Sequence, residues 1–332
     1  MSYSAFGLGR IVAALSLVLA AELVCGAETH AKPIPVILDT DIGDDIDDTW
    51  ALALLLRCPE IDIRLIVGDQ GRSEYRAKLI AKLLEVAGRT EIPVGIGLDV
   101  NRHGVAGQQA WVEDYDLKKY PGKVYEDGVQ AIVDTIMQSD EPITLLAIGP
   151  VPNIRAALER EPRIAQKARF VGMHGSVRIG YGGSKQPAKE YNVVADAPAC
   201  HAVFTAPWKI VITPLDTCGL VVLRGEKYAK IVACKDPLVQ ALVKNYEYWW
   251  QARDDSREDP DRAKKASSTL FDTVAVYLVF TDALCKMETL PICVTDQGMT
   301  VIDPAGKKMA VATEWKDLGQ FEDFLVERLT GK

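Results

Sequence analysis

The chain has 332 residues, of which 48% are apolar and 25% charged, with a formal net charge of −8. That length can bury a large core. An acidic balance without clustered Lys and Arg excludes a nucleic-acid polymer or an anionic membrane as the main partner, and favours a small ligand, neutral or held through a cation.

Residues 1–27 read as an export signal. MSYSAFGLGR carries one positive charge, IVAALSLVLAA is apolar, and LVCGAET offers a small-residue cleavage site near Ala27. The apolar run is too short for a comfortable membrane span, and polar ETHAKP follows it. The expected location is therefore periplasmic or secreted, with no stable membrane span once the signal is removed.

From residue 33 to 332, strand-like and helix-like segments alternate. IPVILD is a continuous apolar run ending in acid, which predicts a buried parallel strand. DDTWALALLLRC predicts a helix whose leading acids suit the positive end of its dipole. IDIRLIVGD predicts the next strand. SEYRAKLIAKLLEVAG predicts a helix with Leu79, Leu83 and Val86 on one face and Gly88 as its stop. Strand IPVGIG, a long loop from Leu98 to Val124 and helix EDGVQAIVDTIMQ come next. Strand PITLLAIG, helix PNIRAALER and strand ARFVGM lead into the glycine-rich loop GSVRIGYGGSKQPAKEYN. Helix DAPACHAVFTA and strand WKIVITPLD repeat the alternation, a mostly helical stretch runs from Arg224 to Phe280, and short strands precede helix EDFLVERL. Repeated βα units predict one α/β domain with a mainly parallel central sheet flanked by helices. The cysteines beyond the signal lack a CxxC pair, which excludes a zinc-ribbon spacing, and those in AVYLVFTDALC and LPICV read as small buried apolar residues.

Ligands of open α/β sheets sit beyond the carboxyl ends of the strands. Asp39 and Asp41 stand at such an end, as do Asp69, the turn Ile148-Gly149-Pro150 and Asp216. VILDTDIGDDIDDTWALALLL packs Asp39, Asp41, Asp44, Asp45, Asp47 and Asp48 into ten residues. Carboxylates so crowded repel one another; a helix N-terminus offsets only a fraction of one charge, and a hard divalent cation offsets far more. An EF-hand loop is excluded, because Gly43 is misplaced and Trp50 stands where the closing Glu belongs.

This acidic turn resembles the N-terminal signature of the inosine–uridine-preferring nucleoside hydrolase family, DxDxGxDD followed by a helix. LLAIGPVPNIRAAL, FVGMHGS, KEYNVVADAPA, IVITPLD and FDTVAVY resemble later family segments, in the family's order. The resemblance implies Ca²⁺ held by Asp41, Asp48, Asp272 and the carbonyl of Ile148, with Asp41 also the general base. It implies that Asp47 accepts hydrogen bonds from ribose hydroxyls, that Glu190 and Asn192 hold the far side of the sugar, and that Asp39 supports Asp41. The reaction implied is hydrolysis of the N-glycosidic bond of a ribonucleoside or related N-riboside, through an oxocarbenium-like transition state that carboxylates stabilise.

Several residues depart from the family pattern. Two extra residues follow Gly43, so Asp45 is an alternative to Asp47 or Asp48; the later pair is preferred because TWALALLL follows it directly. Asp69 replaces the usual Asn, keeping an acceptor for a ribose hydroxyl while losing a donor. Phe271 stands where better-known members have a His that protonates the departing base, and Phe cannot donate. His103 and His174 are loop histidines that can be tested as replacements. Trp249, Trp250 and Trp111 are candidate walls for stacking a base, but Trp249 and Trp250 are adjacent on a helix and cannot both face it. Two rival readings remain: an exported ribose- or nucleoside-binding protein that has lost turnover, and a haloacid-dehalogenase-type phosphatase using Mg²⁺. LDTDIGD resembles the phosphatase loop, but Gly43 occupies its Thr or Val position. A homo-oligomer stays an open expectation.

Overall fold

The alternating apolar runs assemble into a single ten-stranded sheet, ordered β4-β3-β2-β1-β5-β6-β7-β10-β8-β9. This is a computed structural model, which describes residues 32–100 and 106–331. The expected export signal and His103 lie outside the described residues. The strands are β1 (Ile34–Thr40), β2 (Ile61–Gly68), β3 (Val94–Ile96), β4 (Val124–Tyr125) and β5 (Ile143–Ala147). They continue with β6 (Ala168–Met173), β7 (Ile210–Thr213), β8 (Cys285–Val294), β9 (Thr300–Ile302) and β10 (Lys307–Trp315). Every pairing from β4 across to β10 is parallel, while β8 and β9 close the far edge antiparallel. The fold class expected from the sequence is borne out.

The order explains where a ligand can enter. From β1 the chain lays β2, β3 and β4 outward in one direction, then returns to place β5 on the other side of β1. Connections leave β1 and β5 in opposite directions, so a crevice opens at their carboxyl ends. Both faces of the sheet are covered. Val36 and Leu38 point into one apolar layer with the helix Asp47–Leu55, and Ile37 points into the other, with the helices Gly128–Gln138 and Pro152–Arg160. Burial on both faces accounts for the unbroken apolar runs, and each Leu or Ile so buried contributes about 1.5–3 kcal/mol.

The C-terminal region differs from expectation. Its short strands are a long antiparallel pair, β8 and β10, and β10 also extends the parallel sheet by pairing Ala310 with Val211. Lys, Glu and Pro inside CKMETLPICV hide its strand character; only Ile292, Cys293 and Val294 pair with β9, so the earlier residues lack a partner on that side and carry polar types. Among the described residues no helix is long and apolar enough to cross a membrane, and all six cysteines are free.

Candidate active site

The site begins with the period of a strand. Successive residues of β1 face opposite ways, so Asp39 and Thr40 each meet a different helix. Asp39 is wholly buried, and its Oδ2 accepts a hydrogen bond from Nδ2 of Asn153, on the helix Pro152–Arg160, at 2.9 Å. Thr40 turns the other way and donates its hydroxyl to Asp48 Oδ1 at 2.5 Å. Burial raises the Asp39 carboxyl to about 7 despite the Asn153 contact.

Asp47 and Asp48 occupy the first turn of the helix Asp47–Leu55, and Asp272 the first turn of the helix Phe271–Leu278. These two N-termini meet: the backbone N–H of Asp272 donates to Asp47 Oδ2 at 3.3 Å. One carboxylate oxygen from each of Asp47, Asp48 and Asp272 lies within 4.8 Å of the others, and all three residues are buried. Burial, then mutual repulsion, drives the three carboxyls well above the usual carboxylate range. Two helix dipoles aimed at one point favour negative charge there but do not neutralise three carboxylates. A cluster that offers only oxygen and is costly as bare anions fits a hard metal ion. Of the two candidate positions in the long turn, it is the later Asp pair, not the exposed Asp45, that meets Asp272.

Asp41 stands beside this group rather than within it. Asp47, expected on the sugar, lies with Asp48 and Asp272 of the expected metal set, and Asp41 lines the same cavity. Arg76, wholly buried, donates to the carbonyls of Asp41, Ile42 (3.0 Å), Gln70 (2.9 Å) and Gly71 (3.0 Å), and to the Asp44 carboxylate at 3.3 Å. The guanidinium thus fastens the acidic turn to the loop after β2. Gly43 completes the bend with φ +105°, and a Cβ there would lie 2.5 Å from the Tyr75 ring. Burial lifts the Asp41 carboxyl to about 7, with Arg76 opposing.

A cavity of about 570 Å³ opens over these acids. Asp41, Asp47, Asp48, Ile148, Glu190, Asn192, Trp249 and Asp272 all line it. Asn192 Nδ2 donates to the carbonyls of Ile148 (3.2 Å) and Met173 (3.0 Å), which leaves its amide oxygen for a ligand. Glu190 accepts from the backbone N–H groups of Gly175 (2.8 Å), Asn192 (2.7 Å) and Val193 (3.3 Å), and burial still raises it to about 7. A carboxylate has about four acceptor positions, so Glu190 retains one for a ligand. Trp249 turns one edge to the cavity and donates Nε1 to the Asp44 carbonyl at 2.9 Å, whereas Trp250 bonds to the Asp259 carbonyl outside it.

Four expected residues lie elsewhere. Asp69 is behind the lining: wholly buried, both oxygens unpartnered, separated from Asp41 only by Gly149. A Cβ on Gly149 would come within 2.5 Å of Asp69 Oδ2 and 2.6 Å of Asp41 Oδ1. His174 is sealed between Phe170 and Phe204, at ring distances of 5.5 and 5.9 Å, and burial pushes it down to about 3. It does not reach the cavity. Trp111 sits under Lys82, 4.6 Å from the ring centroid, also apart from it. Asp216 accepts the N–H groups of Val177 (2.9 Å) and Arg178 (2.8 Å), so its task is to hold the glycine-rich loop.

Comparison with known proteins gives the chain a family. The profile of the inosine-uridine preferring nucleoside hydrolase family matches residues 36–322. The chain belongs to that family. Its members are N-ribosyl hydrolases acting on small-molecule nucleosides. The chain is 25% identical over 322 residues to the pyrimidine-specific ribonucleoside hydrolase RihA of Escherichia coli O1:K1, covering 89% of this chain and 98% of that one. RihA of Enterobacter sp. strain 638 is 27% identical over 235 residues, 66% of this chain and 71% of its own. Among solved structures, a plant nucleoside hydrolase, the PpNRh1 enzyme, superposes with a TM-score of 0.74 at 22% identity, over 90% of this chain and 100% of that one. A purine-preferring ribonucleoside hydrolase from Gardnerella vaginalis gives 0.72 at 22% identity, over 90% and 98%.

Sequence reading missed Arg76 and Tyr181. Arg76 lies on a helix whose pattern places it as an ordinary polar residue; no local signal reveals five acceptors converging on it. Tyr181, in the glycine-rich loop, lines the cavity beside Phe271.

Proposed function

We propose that this protein hydrolyses the N-glycosidic bond of a ribonucleoside or related N-riboside in a calcium-dependent reaction, releasing free base and ribose. The observation that carries the reading is the meeting of Asp47, Asp48 and Asp272 at one wall of a cavity that Asp41 also lines. Those three carboxylates, with the Ile148 carbonyl and Asp41 beside them, are the residues that would hold the cation. When bound, it supplies positive charge that polarises water and sugar hydroxyls.

The chain's own groups then divide the work. Asp41, which lines the cavity beside the three carboxylates, takes the proton of the attacking water. Asn192, through its amide oxygen, and Glu190, through its free acceptor position, orient the sugar. The surrounding carboxylates favour the positive charge that develops at C1′ as the bond to the base breaks. RihA is named as pyrimidine-specific and the Gardnerella enzyme as purine-preferring, so relatives support the reaction and leave the base open. Residues 1–27 carry the features of an export signal, which supports action outside the cytoplasm.

A second reading is favoured by Phe271: a binding protein that keeps the sugar site without turnover. The deciding experiment incubates purified protein with a nucleoside panel, with and without chelator, and follows free base by chromatography. Calcium-dependent release is expected. Calcium-dependent binding by calorimetry with no release from any nucleoside establishes the second reading instead.

A further inference from the structure

Phe271 leaves the departing base without an imidazole donor, and a base that leaves as an anion leaves slowly. We infer that Tyr181 provides the missing donor, a phenolic hydroxyl whose ring lines the cavity beside Phe271. This rests on the N-ribosyl hydrolase reading above.

Position comes first. The Tyr181 ring meets the Phe271 ring edge to face, with centroids 6.1 Å apart at 84°, so the phenol fills space next to the residue where a donor is absent. Its hydroxyl accepts a hydrogen bond from the backbone N–H of Tyr191 at 2.9 Å. That contact uses a lone pair and leaves the hydroxyl proton free to be given away.

Other donors on the described lining are engaged. Trp249 Nε1 is bonded to Asp44, both amide hydrogens of Asn192 are taken by carbonyls, and the Tyr191 hydroxyl is shared with the Asp44 carboxylate at 3.4 Å. Arg253 lies over the Trp249 ring at 4.7 Å, and a guanidinium does not release a proton at neutral pH.

The loop that presents Tyr181 is anchored rather than loose. Asp216 holds Val177 and Arg178, Thr300 Oγ1 both accepts from the N–H and donates to the carbonyl of Ser176 at 2.9 Å, and Gly180 N–H closes on Ser184 at 2.8 Å. Partial burial and the nearby Glu190 carboxylate keep the phenol above the ordinary tyrosine range, so it carries its proton at neutral pH.

The step balances as follows. The C1′–N bond breaks and its electron pair stays with the base. Water oxygen bonds to C1′, and the water proton passes to Asp41. Tyr181 gives its proton to the base as negative charge develops there. Solvent restores that proton, since Tyr181 is 44% exposed.

The test compares wild type and Tyr181→Phe on two leaving groups: the nucleosides uridine and inosine, and p-nitrophenyl riboside, whose nitrophenolate departs without a proton. The expected result is a fall in kcat/KM of about 10²-fold or more on the nucleosides, shrinking to about threefold or less on p-nitrophenyl riboside. The second substrate also reports that the variant folds. Equal losses on both substrates, or no loss on either, overturn the proposal. So does finding the leaving-group-dependent loss in His103→Ala while Tyr181→Phe lacks it. If wild type cleaves p-nitrophenyl riboside but Tyr181→Phe behaves like wild type, only the donor assignment fails; if wild type cleaves neither kind of substrate, the hydrolase reading itself falls.

Discussion

Arg76 shows how much a single side chain decides in an acidic site. Its guanidinium faces four carbonyls and one carboxylate in a place without solvent. Replacing it by Met leaves those acceptors unpaired and removes the cation nearest Asp41 and Asp44. Breaking a buried ionic contact from one side costs about 3–5 kcal/mol, so Arg76→Met is expected to lower unfolding free energy by that order in urea titrations. Arg76→Lys restores little, because one ammonium cannot span acceptors spread around a planar fork. At the wall proposed to hold the cation, Asp272→Asn removes one of three clustered carboxylates. Calcium affinity by calorimetry is expected to fall about tenfold or more, and an unchanged affinity would place the ion elsewhere.

At the scale of elements, the site is a junction of ends. The carboxyl ends of β1 and β5 supply the rim, and the helices Asp47–Leu55 and Phe271–Leu278 bring their N-termini together across more than two hundred residues of chain. The β5 rim tolerates no side chain at residue 149. Gly149→Ala would push a methyl carbon into Asp69 and Asp41, and within 2.8 Å of the Asp41 backbone nitrogen, which cannot swing aside. The expected outcome is a drop in kcat of about tenfold or more with KM less affected, since a small misplacement of a reacting group is costly. Steady-state kinetics that match wild type would show that the rim can relax.

Across the whole molecule, the buried acids set the pH response. Asp39, Asp41 and Glu190 sit near 7 against ordinary values of 3.8, 3.8 and 4.5, raised by burial. Between those values the native state holds protons that the unfolded chain has lost. The stability these three groups contribute is therefore fully present below the ordinary carboxylate range and is lost as pH rises toward about 7. His174, pushed down to about 3, acts oppositely as pH falls below 6.5, but it is one group against several. Thermal melts of chelated protein are expected to show Tm falling from about pH 5 to pH 7. Saturating calcium should flatten that slope by compensating the charge. An identical slope with and without calcium would separate the acids from the ion.

What the sequence alone determined was whatever is local or repetitive. Apolar runs of strand length, separated by helical periods, required a doubly covered parallel sheet, and the order of segments implied the family and its acidic turn. Asp41 was legible from its place at a strand end, Asp47, Asp48, Asp272, Glu190 and Asn192 from the family resemblance and Trp249 as a candidate stacking wall, and all of them line the cavity. Orientation was not legible. Tertiary packing alone decided that Asp47 joins Asp48 and Asp272, that Asp69 lies just behind the cavity lining and His174 between two phenylalanines, that Arg76 fastens the acidic turn, and that Tyr181 lines the cavity. The physical reason is that a pattern of types records which face a residue prefers, whereas the partner of a charge or hydroxyl depends on segments brought close only by folding.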